Sequence, residues 1–201
     1  MTTLQRADPP EAGLAQAKQV AIWGFGREGR AAFDHLRKTH PHIAVTILND
    51  SPLGEAVATS IDATVLTGPD AARALTGGDF DVVIKSPGIS LYRPEIAAAK
   101  QRGVRFTSTT NLWFERYPDA FKIAVTGTKG KSTTTRMLHH LLRQSGLDFG
   151  LAGNVGIPVL ELEPGKDGMV LELSSYQLAD LEFAPQMAVV TNLYPEQIGR
   201  A

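Results

Sequence analysis

Short apolar runs recur along the chain, each closed by a polar, often glycine-bearing turn and followed by a segment with helical spacing. Gln19 to Trp23 reads as a strand, Gly24 to Gly29 as a tight turn, and Arg30 to Thr39 as a helix that packs through Ala31, Ala32 and Leu36. The next strand is Ala44 to Leu48, followed by Asn49, Asp50, Ser51 and Pro52. Ala63 to Leu66 forms a shorter strand, and Asp81 to Lys85 a stronger one that ends at Ser86-Pro87-Gly88. A helix from about Pro94 to Arg102 leads to the strand Arg105 to Thr107. Strands alternating with helices in this way predict a parallel sheet over about residues 19–109.

The same grammar restarts near Ala120. Lys122 to Val125 is a strand, Thr126 to Gly130 a loop and Lys131 to Ser145 a helix; Met169 to Leu173 and Met187 to Thr191 are further core strands, with Tyr176 to Leu181 between them. The boundary therefore falls between about Thr110 and Phe121. The predicted fold is α/β: a Rossmann-like parallel-sheet domain over 19–115, then a P-loop ATPase-like α/β domain over 116–201, behind an extension of residues 1–18. Within that extension, Gln5 to Lys18 are compatible with either a disordered segment or a short helix. Only three strands are recognisable after Ala120. That is thin for a nucleotide-binding sheet, so the second domain is expected to be truncated.

Composition narrows the classes. Across 201 residues the hydrophobic fraction is 43% and the charged fraction 20%, enough to bury a core and unlike a disordered chain. Lys+Arg 20 against Asp+Glu 21 leaves a net charge of -1, which argues against a nucleic-acid footprint, and the aromatics are not interleaved with basic residues. With no cysteine there is no disulfide, thiolate nucleophile or cysteine zinc site. No run of about 18 apolar residues occurs, so membrane insertion is not expected; the absence of cysteine fits the cytoplasm, and a monomer is the expected state. The five histidines lack metal-ligand spacing and are expected on the surface or at interfaces; Trp23 and Trp113 are expected in the core.

The sharpest chemistry lies in Val125-Thr126-Gly127-Thr128-Lys129-Gly130-Lys131-Ser132-Thr133, where a strand, a glycine turn and a helix start make backbone N–H groups converge on phosphate. Lys131 reaches toward the β/γ-phosphates and Ser132 offers its hydroxyl to Mg²⁺. Val125 stands where the general motif has its first glycine. Glu172, after Met169-Val170-Leu171, brings a carboxylate to a strand end. Asn154, in the turn Gly153-Asn154-Val155-Gly156, either touches ligand or closes its own turn. Thr191-Asn192-Leu193 ends another strand and can bring polar groups to the same edge.

A second glycine loop, Gly24-Phe25-Gly26-Arg27-Glu28-Gly29, sits between strand and helix, with Asp50 about twenty residues on, where a dinucleotide fold keeps its ribose-binding acid. That pattern fits NAD, a different pyrophosphate ligand, or plain helix–sheet packing. Ser86-Pro87-Gly88-Ile89 adds a turn that can cradle substrate.

Together these segments, with Glu172-Leu173-Ser174-Ser175-Tyr176-Gln177-Leu178, resemble the Mur ligase family of ATP-dependent amino-acid ligases, over Val20 to about Pro195. The family's ATP loop has the shorter glycine pattern seen here. The resemblance is to the branch that adds glutamate to UDP-N-acetylmuramoyl-L-alanine through an acyl phosphate, with ATP and Mg²⁺. Ile22 to Arg30 and Tyr194-Pro195 are closer to relatives that add L-glutamate than to those that add the D-isomer. It implies that Gly26, Arg27, Asn49, Asp50, Ser51 and Gly88 surround the UDP end of the substrate. Asn154, Ser174 and Gln177 would place its sugar and lactyl-alanyl end. Gly127, Thr128, Lys129, Gly130, Lys131, Ser132 and Thr133 would hold ATP, with Lys131 and Glu172 serving catalysis and Ser132 and Glu172 the metal.

One departure is that Asn192-Leu193-Tyr194-Pro195-Glu196-Gln197 puts Glu196 at the family's acid and Gln197 at its histidine. The segments implied beyond Ala201 include the amino-acid domain, so this chain alone is expected not to complete ligation. Competing readings are a D-glutamate ligase, a catalytically silent UDP-sugar-binding protein, and an NAD-dependent oxidoreductase, which leaves Lys131 unexplained.

Overall fold

A computed structural model describes residues 12–154 and 157–195. After the short helix α1 (Ala12–Ala15) come β1 (Gln19–Trp23), α2 (Arg27–Thr39), β2 (Ala44–Asn49), α3 (Glu55–Ser60), β3 (Thr64–Thr67), α4 (Pro69–Gly77), β4 (Val82–Lys85), α5 (Pro94–Gln101), β5 (Arg105–Thr107) and α6 (Thr109–Arg116). The second half runs β6 (Lys122–Thr126), α7 (Lys131–Gln144), β7 (Phe149–Gly153), a 3-10 turn (Val159–Glu161), β8 (Gly168–Glu172), α8 (Ser175–Asp180) and β9 (Met187–Val190). The strands form two parallel sheets, ordered β3-β2-β1-β4-β5 and β7-β8-β6-β9. The α/β class with a Rossmann-like first sheet is the one expected.

The unbroken apolar runs of β1, β4, β6 and β8 follow from burial of both sheet faces, which leaves no polar alternation to see, whereas β9, expected as a core strand, lies at the sheet edge and is largely exposed. Val20, Ile22, Val82 and Ile84 enter one core while Ala21, Trp23 and Val83 enter another on the opposite face. The first of these cores is continuous with Ala124, Met169 and Leu171 of the second sheet, and Leu112, Trp113 and Phe114 of α6 lie within it. Trp113 is fully buried, and its indole N–H donates to the Leu162 carbonyl at 2.8 Å. The two sheets thus share apolar contacts through α6 instead of being joined by a loose tether.

Several expectations need correction. Helix α2 starts at Arg27, three residues before the expected Arg30, so the turn proper is only Gly24 to Gly26. The second sheet has four described strands, not three. The overlooked one, β7, reads Phe-Gly-Leu-Ala-Gly, and its glycines are there because a Cβ at Gly150 would lie 2.7 Å from Met169 Sδ and one at Gly153 2.2 Å from the Glu172 carbonyl oxygen. The expected boundary region contains α6, capped by Ser108 accepting from the Asn111 amide at 3.2 Å. Thr109 through Phe114 of that helix are all buried, so it shows no amphipathic stripe. Helices α3 and α4 were also not foreseen. His35 and His40 are buried, not on the surface, because α2 and the turn after it pack over the first sheet. In the extension, residues 12–15 are helical and Leu14 is fully buried, whereas residues 1–11 lie outside the described residues.

Candidate functional site

In the first sheet the strand order reverses between β1 and β4, and an open α/β sheet keeps its ligand crevice at that point, beyond the strand ends. Gly24 leaves β1 with φ +91°, and its amide donates to the Leu48 carbonyl at 2.8 Å. The Ser86 hydroxyl donates to the Gly24 carbonyl at 2.8 Å, tying the Ser86-Pro87-Gly88 turn to the glycine loop. Gly26 caps α2, and a Cβ there would meet nothing within 4 Å; the same is true at Gly88. Both exposed glycines keep backbone open to an approaching group, and Gly26 does so at the positive end of α2.

The residues after β2 line the same edge. Asn49 Oδ1 accepts from the Phe25 amide at 3.1 Å, and Asn49 Nδ2 donates to the Ser51 carbonyl at 2.7 Å, so Asn49 fastens the loop. Asp50 accepts from the Trp23 indole at 3.2 Å and pairs with Arg93 at 2.6 Å. Arg93 lies 4.6 Å above the Trp23 ring and also holds Glu95, whose carboxyl it keeps below the ordinary carboxylate range. Arg93 escaped sequence reading because nothing in its neighbourhood marks it. Arg27 and Ser51 are exposed beside these groups.

In the second sheet β6 lies between β8 and β9, so the loop after β6 has strand ends on both sides. Gly127 has φ +137° and Gly130 φ +80°; a Cβ on Gly127 would lie 2.1 Å from Thr191 Oγ1. Asn192 fixes the loop from the β9 side: its carbonyl accepts from the Thr128 amide at 3.0 Å, its Oδ1 from the Lys129 amide at 2.9 Å, and its Nδ2 donates to the Lys129 carbonyl at 2.9 Å. Thr191 Oγ1 adds a bond to the Lys129 carbonyl at 2.7 Å. The polar groups expected there do reach the loop edge.

Helix α7 begins at Lys131, whose ammonium donates to the Gly127 and Thr128 carbonyls at 2.8 and 3.2 Å, folding back over its own loop. Ser132 and Thr133 are exposed in its first turn. From the β8 side, Glu172 pairs in register with Val125. Its side chain is buried, and Oε2 has no hydrogen-bond partner. An ionised carboxylate left this way is costly unless a cation or donor arrives.

Past Glu172, Ser174 Oγ accepts from the Gln177 amide at 3.2 Å and Gln177 Oε1 from the Ser174 amide at 2.9 Å, a capping box that starts α8. Ser174 and Gln177 thus spend part of their hydrogen-bonding capacity on the helix. Asn154 is exposed, and its amide donates to the Glu172 carbonyl at 3.1 Å. Val155, Gly156, Glu196 and Gln197 lie outside the described residues.

Helix α6 is fastened to α2, and a buried ion pair ties β4 to α8. The Thr109 hydroxyl donates to Glu28, whose carboxyl is pushed up mainly by burial. Lys85, at the end of β4, pairs with Asp180 of α8 at 2.8 Å.

A model of the Mur ligase MurD-like N-terminal domain matches residues 18–108, and one of the Mur ligase middle domain matches residues 125–200. A UDP-N-acetylmuramoyl-L-alanine–L-glutamate ligase of Xanthomonas axonopodis pv. citri is 43% identical over 195 residues, covering 91% of this chain and 41% of its own length. One from Salinispora tropica is 39% identical, with the same coverage of both chains. The chain thus spans about two fifths of the length of these curated relatives. A crystal structure of a UDP-N-acetylmuramate–alanine ligase of Thermotoga maritima covers 92% of this chain and 43% of its own at 24% identity and TM-score 0.52. A UDP-N-acetylmuramate:L-alanyl-γ-D-glutamyl-meso-diaminopimelate ligase of Neisseria meningitides gives 19% identity and TM-score 0.53, covering 88% of this chain and 61% of its own. At such identities these two establish the fold alone. With one Mur model on each of its two sheets and curated Mur relatives aligned across nine tenths of its length, this chain belongs to the Mur ligase family.

Proposed function

We propose that this chain supplies the UDP-substrate-binding and ATP-binding portions of a ligase that joins L-glutamate to UDP-N-acetylmuramoyl-L-alanine. The observation that carries this reading is a pair of strand-end glycine turns, at Gly24–Gly26 and Gly127–Lys131, on two sheets tied by the buried Lys85–Asp180 pair. A lone dehydrogenase needs only the first. In the first cradle Gly26, Arg27 and Gly88 accept the UDP pyrophosphate, and Asn49, Asp50 and Ser51 border its nucleoside end. Asn154, Ser174 and Gln177 face the sugar and lactyl-alanyl end.

In the second cradle the amides of Gly130 through Thr133 bind the ATP phosphates, bordered by Gly127, Thr128 and Lys129, the latter two with their amides already given to Asn192. Lys131 exchanges its two loop carbonyls for phosphate oxygens and neutralises charge growing on the transferred phosphoryl group. The unpartnered Glu172 Oε2 and the exposed Ser132 hydroxyl fit a hard, oxygen-preferring cation, and they are the residues that would hold Mg²⁺. Mg²⁺ bound there would supply further phosphate charge neutralisation. The alanyl carboxylate attacks the γ-phosphorus of ATP, ADP leaves and an acyl phosphate forms; the glutamate amine then attacks the acyl carbon, gives up a proton and expels inorganic phosphate as the amide forms. Packing of the two halves keeps water from the activated acyl group. Soluble substrates of this kind place the reaction in the cytoplasm. Among the described residues no helix is long and apolar enough to cross a membrane. The working unit is a monomer, which sedimentation of the chain tests.

Calorimetric titration with UDP-N-acetylmuramoyl-L-alanine, and with NADH in parallel, tests the reading. Saturable binding of the first without the second is the expected result. NADH saturation, or no binding of the UDP ligand, overturns it.

A further inference from the structure

Lys85 stands out in β4, whose other residues are Val82, Val83 and Ile84. Its side chain is 3% exposed and that of Asp180 is 5% exposed. The ammonium has three acceptors: the Ser86 carbonyl at 3.2 Å, the Ile89 carbonyl at 2.7 Å and Asp180 Oδ2 at 2.8 Å. One buried cation therefore closes both ends of the turn carrying Gly88 and, in the same set of bonds, grips the last residue of α8. Asn111 of α6 secures the other side of that junction, donating to the Asp180 carbonyl at 2.8 Å and accepting from the Glu182 amide at 3.0 Å.

Stability alone does not account for this arrangement. A buried ion pair loses much of its Coulombic gain to desolvation, and well-packed apolar residues in its place often serve the fold equally well. What an ammonium with three directed acceptors adds is a fixed relation between the groups it joins. Here those groups are the Ser86–Ile89 turn on the first sheet and the helix begun by Ser174 and Gln177 on the second.

We propose that Lys85 and Asp180 form a positioning pair that sets the Gly88 wall against the Ser174–Gln177 wall, and so favours a nucleoside diphosphate carrying a sugar long enough to reach both walls. The proposal rests on the substrate reading given above. The pair itself touches no substrate; it acts through the two walls, and UDP alone, which reaches only the first of them, does not sense their separation.

The test is calorimetry of the 201-residue chain with UDP and with UDP-N-acetylmuramoyl-L-alanine, using Lys85→Met, Asp180→Leu and the double variant Lys85→Met/Asp180→Leu. The double variant leaves no unpaired buried charge and is expected to fold. In the double variant affinity for the sugar-bearing ligand falls at least about tenfold further than affinity for UDP, which loses only what the loosened Gly88 turn costs. Equal losses for both ligands point to a merely structural role and overturn the proposal, as does no loss for either. If the unsubstituted chain binds neither ligand, the substrate reading itself fails; if it binds both and the variants match it, only the positioning pair fails.

Discussion

Replacing Gly24, Gly26 and Gly29 with alanine one at a time separates glycines that serve the fold from the one that serves a ligand. At Gly24 the new methyl would stand 2.7 Å from Ser86 Oγ and 2.8 Å from Ser86 Cβ, on a backbone with φ +91°. The left-handed conformation costs about 1–2 kcal/mol. Displacing a packed neighbour adds about 1–3 kcal/mol, for a total near 3. At Gly29 the clash is with backbone, 2.1 Å from the Gly24 carbonyl oxygen, which cannot rotate aside. At Gly26 the methyl would meet nothing within 4 Å, and φ is an ordinary -84°. Losing the glycine cap there costs only about 0.5–1 kcal/mol.

Thermal unfolding of the three variants is expected to show Gly24→Ala and Gly29→Ala lowered by roughly 6–12 °C, at about 3 °C per kcal/mol for a chain of this size, and Gly26→Ala by no more than about 3 °C. Titration with UDP reverses the ranking. Gly26→Ala keeps its fold and binds at least about tenfold more weakly, because the methyl occupies the approach to the helix N-terminus. A Gly26→Ala chain that binds UDP like the parent, or that loses as much stability as Gly24→Ala, would refute the reasoning.

Lys131→Met removes the loop cation, and ATP affinity measured by fluorescence competition drops about 10–100-fold, the worth of charge-assisted hydrogen bonds. Unfolding is little changed, since the lysine bonds only half-buried carbonyls of its own loop. Glu172→Gln abolishes the gain in ATP affinity on adding Mg²⁺ without lowering stability; a retained Mg²⁺ response counts against a metal role for Glu172. Trp113→Phe leaves the Leu162 carbonyl without its indole donor and costs about 1–3 kcal/mol in urea unfolding. In acid, Asp81 contributes a characteristic loss. Backbone amides of Gln19 and Lys18 hold its carboxyl below the usual aspartate value, so its stabilisation is present above the unfolded pKa and disappears as pH falls through the folded one. Asp81→Asn flattens that limb of a stability–pH curve. Glu28 and Asp180, both pushed up chiefly by burial, act in the opposite sense and cost stability as pH rises from the unfolded value toward the folded one.

Much of this was legible from residue order because its causes are local. Strands β1 and β5 were bounded correctly from apolar runs ending at turn residues, and the Gly127–Lys131 loop was recognisable because a strand, two glycines and a basic helix start are contiguous. Glu172 could be placed at a strand end for the same reason. What was missed has non-local causes. Strand β7 exists because β8 pairs with it, and its glycines reflect contacts with Met169 and Glu172 that no spacing within Phe149–Gly153 reveals. Helix α6 shows no stripe because it is buried between both sheets.

By itself, then, the sequence determined the class of fold, the two glycine turns at strand ends and the side-chain chemistry available at each, since these depend on neighbours within a few positions. Only the tertiary structure decided that Arg93 stacks on Trp23, that Asn192 clamps the second loop, that Glu172 is buried with an unpartnered oxygen, and that Lys85 meets Asp180. Arg93 and Trp23 are 70 positions apart in sequence, and Lys85 and Asp180 are 95 apart. At such separations contact is set by strand order and helix packing, which pattern along the chain does not encode.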